Sequence, residues 1–186
     1  AFERACALSD AAVAGATGQA LQAFDTLRGV ATLRRRRMAA ALALLPAAST
    51  PIDRARLWSQ AAPVSSIALP DLPRLEAARQ RVAAWRAVDH RRELYVGLVL
   101  LAEELARAGD LEAARASAAE ATALEDPAWP PALRMVGAQV DSNIALHHPT
   151  PGPRLDGLAG LQRMLALAER SGDPARVAMA RFRLAD

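Results

Sequence analysis

Apolar positions in this chain recur every three to four residues. Leu98, Leu101 and Leu105 share one helical face, and Leu111, Ala114, Ala118 and Ala121 share another just beyond. Local punctuation divides the pattern into helices. Thr50-Pro51-Ile52-Asp53 predicts a helix start, with Thr50 as N-cap, Pro51 in the first turn and Asp53 reaching back, and that helix runs to about Ala62. Residues 63–70 read as a connector. Asp71 is expected to cap a helix from Leu72 to about Val88, and Asp89 one from about His90 to Ala108. Gly109-Asp110 supplies a C-terminal glycine and a new N-cap together, opening a helix to about Glu125. Asp126 to Pro131 reads as a turn, with Pro130 and Pro131 suited to the start of a helix reaching about His147. A helix from Leu155 to Ser171 follows, and Gly172-Asp173-Pro174 opens the last. The first fifty residues hold two or three more helices.

Composition points the same way. About a quarter of the 186 residues are Ala and only 4% are aromatic, which favours helix and disfavours strand. All 23 basic residues are Arg, against 20 acids, leaving a net charge of +3. So small an excess gives no electrostatic basis for nucleic-acid binding. A chain without Lys also cannot contain the Gly-x-x-x-x-Gly-Lys phosphate loop, so any ATPase would lie in other segments. The longest apolar run, Met38 to Ala48, is broken by Pro46 and is too short to span a membrane. Cys6 is the single cysteine, so an intramolecular disulfide is impossible; a cytoplasmic protein is expected. Starting at Ala1 and stopping at Asp186 within a helical pattern, the chain reads as a single repeat domain, 1–186, cut from a longer protein.

Aligning Asp89 with Asp173 superposes Leu98 on Phe182 and Tyr95 on Met179, a spacing that two helical hairpins of about 42 residues would give. Leu98-x-x-Leu101-Ala102-x-x-Leu105-x-x-x-Gly109-Asp110-x-x-x-Ala114-x-x-x-Ala118-x-x-Ala121 resembles a tetratricopeptide repeat. It departs from that pattern at Leu98, where Trp is usual, at Ala118, where an aromatic is usual, and at Pro127, which falls one residue late. Long repeats of this kind are similar to the C-terminal arms of large bacterial transcription regulators of the maltose-regulator type. The segments Arg36 to Pro46, Arg54 to Trp58 and Glu120 to Pro130 fit such arms. The resemblance implies an all-α, right-handed array of antiparallel helix hairpins, a tetratricopeptide-like superhelix. It further implies upstream ATPase and DNA-binding domains in the parent chain.

Arg34 to Arg37 fan out by 100° per residue and read as a solvated face with apolar stems against the protein. His147 and His148, with Asp141 upstream, lack the i, i+4 spacing of a metal pair and read as helix-terminal histidines. Cys6 has no base partner, and Glu103, Glu104, Asp110 and Glu112 read as helix-surface and cap residues. Trp58 and Trp85 suit a core, and Trp129 suits a turn lock. A concave repeat surface would draw its contacts from Trp85, Arg92, Tyr95 and Trp129. Val177, Phe182 and Leu184 lack a following hairpin and are expected to fold back or bury against a second copy, giving a homodimer. The expected function is non-catalytic, without cofactor or metal: a module that engages a protein segment or small effector, or else a scaffold or dimerisation segment.

Overall fold

A computed structural model describes residues 1–28, 31–62, 67–146 and 154–185, with side chains for all of these but 22–28, 145–146, 154–156 and 185. The described residues form α1 (Phe2–Ala7), α2 (Ala11–Arg28), α3 (Ala31–Leu44), a short 3-10 turn (Leu45–Ala47), α4 (Pro51–Ala61), α5 (Arg74–Arg86), α6 (Arg91–Arg107), α7 (Leu111–Leu124), α8 (Pro131–Leu146), α9 (Arg154–Ser171) and α10 (Pro174–Ala185). No strand occurs among the described residues. The all-α reading therefore holds. The chain divides into two compact units, Ala1–His90 and Arg91–Asp186.

Three helix junctions share one device. Ser9, Gly109 and Gly172 take the left-handed conformation, with φ of 55°, 87° and 67°. Each is followed by an Asp whose N–H reaches back to the preceding helix: Asp10 to the Ala5 carbonyl, Asp110 to Leu105 and Asp173 to Ala168. The same Asp then caps the next helix through Oδ1, which accepts from the N–H of Val13, Ala113 and Arg176 respectively. One helix is closed and the next opened within two residues.

Thr50 caps α4 as expected, accepting from the Asp53 N–H at 3.2 Å while its hydroxyl donates to the Asp53 carboxylate at 2.6 Å. Two expected caps fail. Asp71 does not cap α5, which starts at Arg74 with Pro73 in the cap position. Proline disfavours the helical conformation for the residue before it, so Leu72 cannot begin the helix. Asp89 has φ of 54° and ends the preceding turn, so it is the counterpart of Gly109 rather than of Asp110. The alignment of Asp89 with Asp173 is accordingly out of step by one residue.

In unit 1, Phe2, Ala5, Ala11, Ala14, Ala41, Leu44, Leu57 and Ala61 pack into one apolar core. Trp85 belongs to the interior of the same unit: it is 1% exposed and its indole N–H donates to Ser59 Oγ at 2.7 Å. Arg34 departs from the solvated-face reading. It is buried and donates to Gln60 Oε1 at 3.3 Å, while Arg35 and Arg36 remain exposed. In unit 2, Leu98 and Leu105 of α6 and Ala114, Ala118 and Ala121 of α7 are all buried. Ser117 Oγ donates to the Leu98 carbonyl across this hairpin at 2.9 Å. Met135 and Ala138 of α8 pack with Met164, Leu167 and Ala168 of α9 and with Ala180 of α10. Small residues at the contacts let helix axes approach closely.

Candidate functional site

The polar centre of unit 2 is built on Glu125, the residue that ends α7. An acid at a helix C-terminus opposes the helix dipole, so it needs a tertiary partner to be stable there. It has two. Glu125 Oε1 accepts from Arg134 Nε at 2.7 Å, and Oε2 accepts from Arg163 Nη2. Arg134 stands in the first turn of α8 and also donates to the Pro127 carbonyl at 3.3 Å, which ties down the α7–α8 turn. Arg163 comes from α9, so a single carboxylate joins three consecutive helices.

Tyr95 of α6 enters the same centre. Its side chain is fully buried. Its hydroxyl accepts from the Gly137 N–H at 3.0 Å and has the Arg134 carbonyl at 3.3 Å and Glu125 Oε2 at 3.5 Å as acceptors. The absence of a side chain at residue 137 is required: a Cβ there would lie 2.3 Å from the Tyr95 hydroxyl oxygen. Burial, and then the nearby Glu125 charge, push the Tyr95 pKa up to about 12. Burial alone would raise the Glu125 pKa, but the hydrogen bonds and charges of Arg134 and Arg163 outweigh it and hold the carboxyl below its ordinary value. Asp141 is raised by burial, with Arg163 pulling the other way. At neutral pH Tyr95 is therefore protonated and Glu125 ionised.

Around this centre lies an aromatic edge. Trp129 packs against Tyr95 edge-on, with ring centroids 5.1 Å apart. The Arg91 guanidinium lies over the Trp129 ring, 5.9 Å from its centroid, and its Nε donates to the Leu124 carbonyl at 2.8 Å. Arg91 thus neutralises the exposed carbonyl end of α7 while covering an indole. Trp129 itself stays half-buried. Its turn is fixed by the Trp129 N–H donating to the Asp126 carbonyl at 3.0 Å, and by Asp126 Oδ1 accepting from Ala128 at 2.8 Å.

The expected contact residues are thus placed unevenly. Tyr95 and Trp129 come together in unit 2, but Tyr95 is enclosed and supports Trp129 from behind instead of offering a contact of its own. Arg92 is exposed on α6, and its neighbour Arg91 makes the aromatic contact. Trp85 is enclosed in unit 1. Glu125, Arg134, Arg163 and Gly137 escaped the sequence reading, because their partners lie 9 to 42 residues away. The one local signal was the acid at the C-terminal end of a helix.

At the far end of unit 2, Val177 packs against the α8–α9 core, Leu184 is half-buried and Phe182 is 69% exposed. The fold-back expected of Phe182 is not made within the chain. Among the described residues, no three His, Cys, Asp or Glu side chains converge as a metal-holding group, and no helix is long and apolar enough to cross a membrane. His147 and His148 lie outside the described residues. Compared with protein-family models, with curated proteins and with solved structures, the chain matches none.

Proposed function

We propose that this chain is a non-catalytic helical module that engages a protein segment or small effector through the Arg91–Trp129 edge of unit 2, with the buried Tyr95 behind it. The observation that carries the reading is Trp129. A large aromatic ring stays half-exposed beneath a guanidinium while the Tyr95–Glu125 network braces it from behind. Trp and Arg on a rigid base are residue types that concentrate binding energy at interfaces. The shifted groups beside it argue against proton transfer, since Tyr95 holds its proton to about 12 and Glu125 is committed to two arginines.

The tetratricopeptide-like pattern of α6–α7 supports placing the chain in a right-handed array of such hairpins. Its resemblance to the arms of bacterial regulators supports a cytoplasmic signalling role. In that role the effector would bind the on and off states of the parent with different affinity and so drive an upstream ATPase switch and DNA-binding domain. The test is the reading frame that encodes the chain. A nucleotide-binding loop and a DNA-binding domain ahead of residue 1 are expected; a frame that encodes neither contradicts the regulator reading. The exposed Phe182 favours one alternative, a scaffold or dimerisation segment without its own ligand.

A further inference from the structure

In unit 1, α1 and α3 border a cavity of about 240 Å³ that opens to solvent beside the exposed Glu3 and Arg36. Phe2, Cys6, Leu33 and Ala40 supply apolar lining, and Glu3, Arg36 and Arg37 bring the charges. Phe2 is 4% exposed and belongs to the core, so the floor is fixed. Of the charged lining residues two are cations and one is an anion, which leaves the site with a positive excess. Arg36 is exposed on α3 and Arg37 half-buried. A guanidinium has five N–H donors, so the contact Arg37 already makes does not exhaust it.

We propose that this cavity binds a small amphipathic anion: a carboxylate held by Arg36 and Arg37, with a short unbranched apolar tail laid against Phe2, Leu33 and Ala40. Three features select that class. The apolar walls favour a hydrocarbon tail over a sugar or a nucleotide base. Guanidinium groups from two lining residues favour a planar carboxylate head at the rim. The volume of about 240 Å³ suits a short chain and excludes a docked helix. The Cys6 thiol, raised in pKa by burial, stays neutral and adds no charge that would repel the head group. The assignment stands independently of the proposed role of unit 2.

Cys6 is the single cysteine and lines the cavity, so its rate of alkylation reports occupancy directly. Octanoate is the probe, with octanol, octylammonium and inorganic phosphate as controls. Octanoate is expected to slow Cys6 alkylation saturably by about tenfold, with half-protection at about 1 mM, the weak affinity of a ten-atom ligand. Loss of two charge-assisted hydrogen bonds in the Arg36→Ala/Arg37→Ala variant should raise that concentration at least about tenfold. Ala40→Leu, which fills the cavity, should abolish protection in a chain of unchanged helicity. Unsaturated or absent protection of the parent chain by octanoate overturns the proposal whatever the variants do. Equal protection by octanol or octylammonium overturns recognition of the anion, and equal protection by phosphate overturns recognition of the tail.

Discussion

Replacing Glu125 by Ala removes the carboxylate on which α7, α8 and α9 converge. Truncating one partner of a buried, hydrogen-bonded ion pair costs about 3–5 kcal/mol when the remaining charge is stranded. Here the stranding is partial, because the Glu125 side chain is 7% exposed while Arg134 and Arg163 are 17% and 34% exposed. Water takes up part of their solvation, and removing an acid from a helix C-terminus returns a few tenths of a kcal/mol. A net loss of about 2 kcal/mol follows. The assay is hydrogen exchange of the backbone amides of α8 and α9 in the intact chain, where that loss appears as exchange about 30-fold faster. Glu125→Gln keeps the shape and one neutral acceptor, and should lose about half as much. Folding lowers the Glu125 pKa, so the contribution is complete above the ordinary value of 4.5 and is lost as pH falls through the lower folded value. The parent should therefore lose protection in that acid window, and the Gln variant should not show the step. Exchange of Glu125→Ala within twofold of the parent at neutral pH would refute the reasoning.

Three further outcomes are expected. Gly137→Ala should destabilise unit 2 by about 1–3 kcal/mol through the clash with the Tyr95 hydroxyl. In a denaturation cycle Tyr95→Phe should relieve part of that cost, and strictly additive losses would contradict the contact. Asp110→Ala removes the cap of α7 and should cost about 1 kcal/mol, lowering the melting temperature by about 2–4 °C; an unchanged melting temperature would contradict the cap. If α10 is a self-association face, sedimentation should show a concentration-dependent dimer that Phe182→Ser abolishes, and a monomer at every concentration would remove the dimerisation reading.

The helices were legible where a local rule acts alone. Gly109-Asp110, Gly172-Asp173 and Thr50-Pro51 announced their junctions because a left-handed residue, a capping oxygen and a proline each act within four residues. Ser9-Asp10 does the same work without a glycine and carried no comparable signal. Asp71 and Asp89 misled for the same reason. Pro73 displaces the expected cap by two residues and the left-handed turn at Asp89 by one. The site was legible only in its aromatics. Tyr95 and Trp129 stand out in a chain with few aromatic residues, but nothing local pairs Glu125 with Arg163, 38 residues distant. Arg34 shows the same limit: within a run of four arginines, only the packing of α3 on α4 selects which one is buried beside Gln60.

The most direct test of the polar centre is the titration of Tyr95, because it is the only tyrosine in the chain. The phenolate absorbance should rise with a midpoint at about 12, against the ordinary value of 10.0. A raised folded pKa means the stabilising contribution is complete below pH 10 and is lost as the pH climbs through about 12. Helical ellipticity followed in the same samples separates ionisation from unfolding. A midpoint near 10 with the helices intact would contradict the buried hydroxyl between Gly137 and Glu125, and with it the brace behind Trp129.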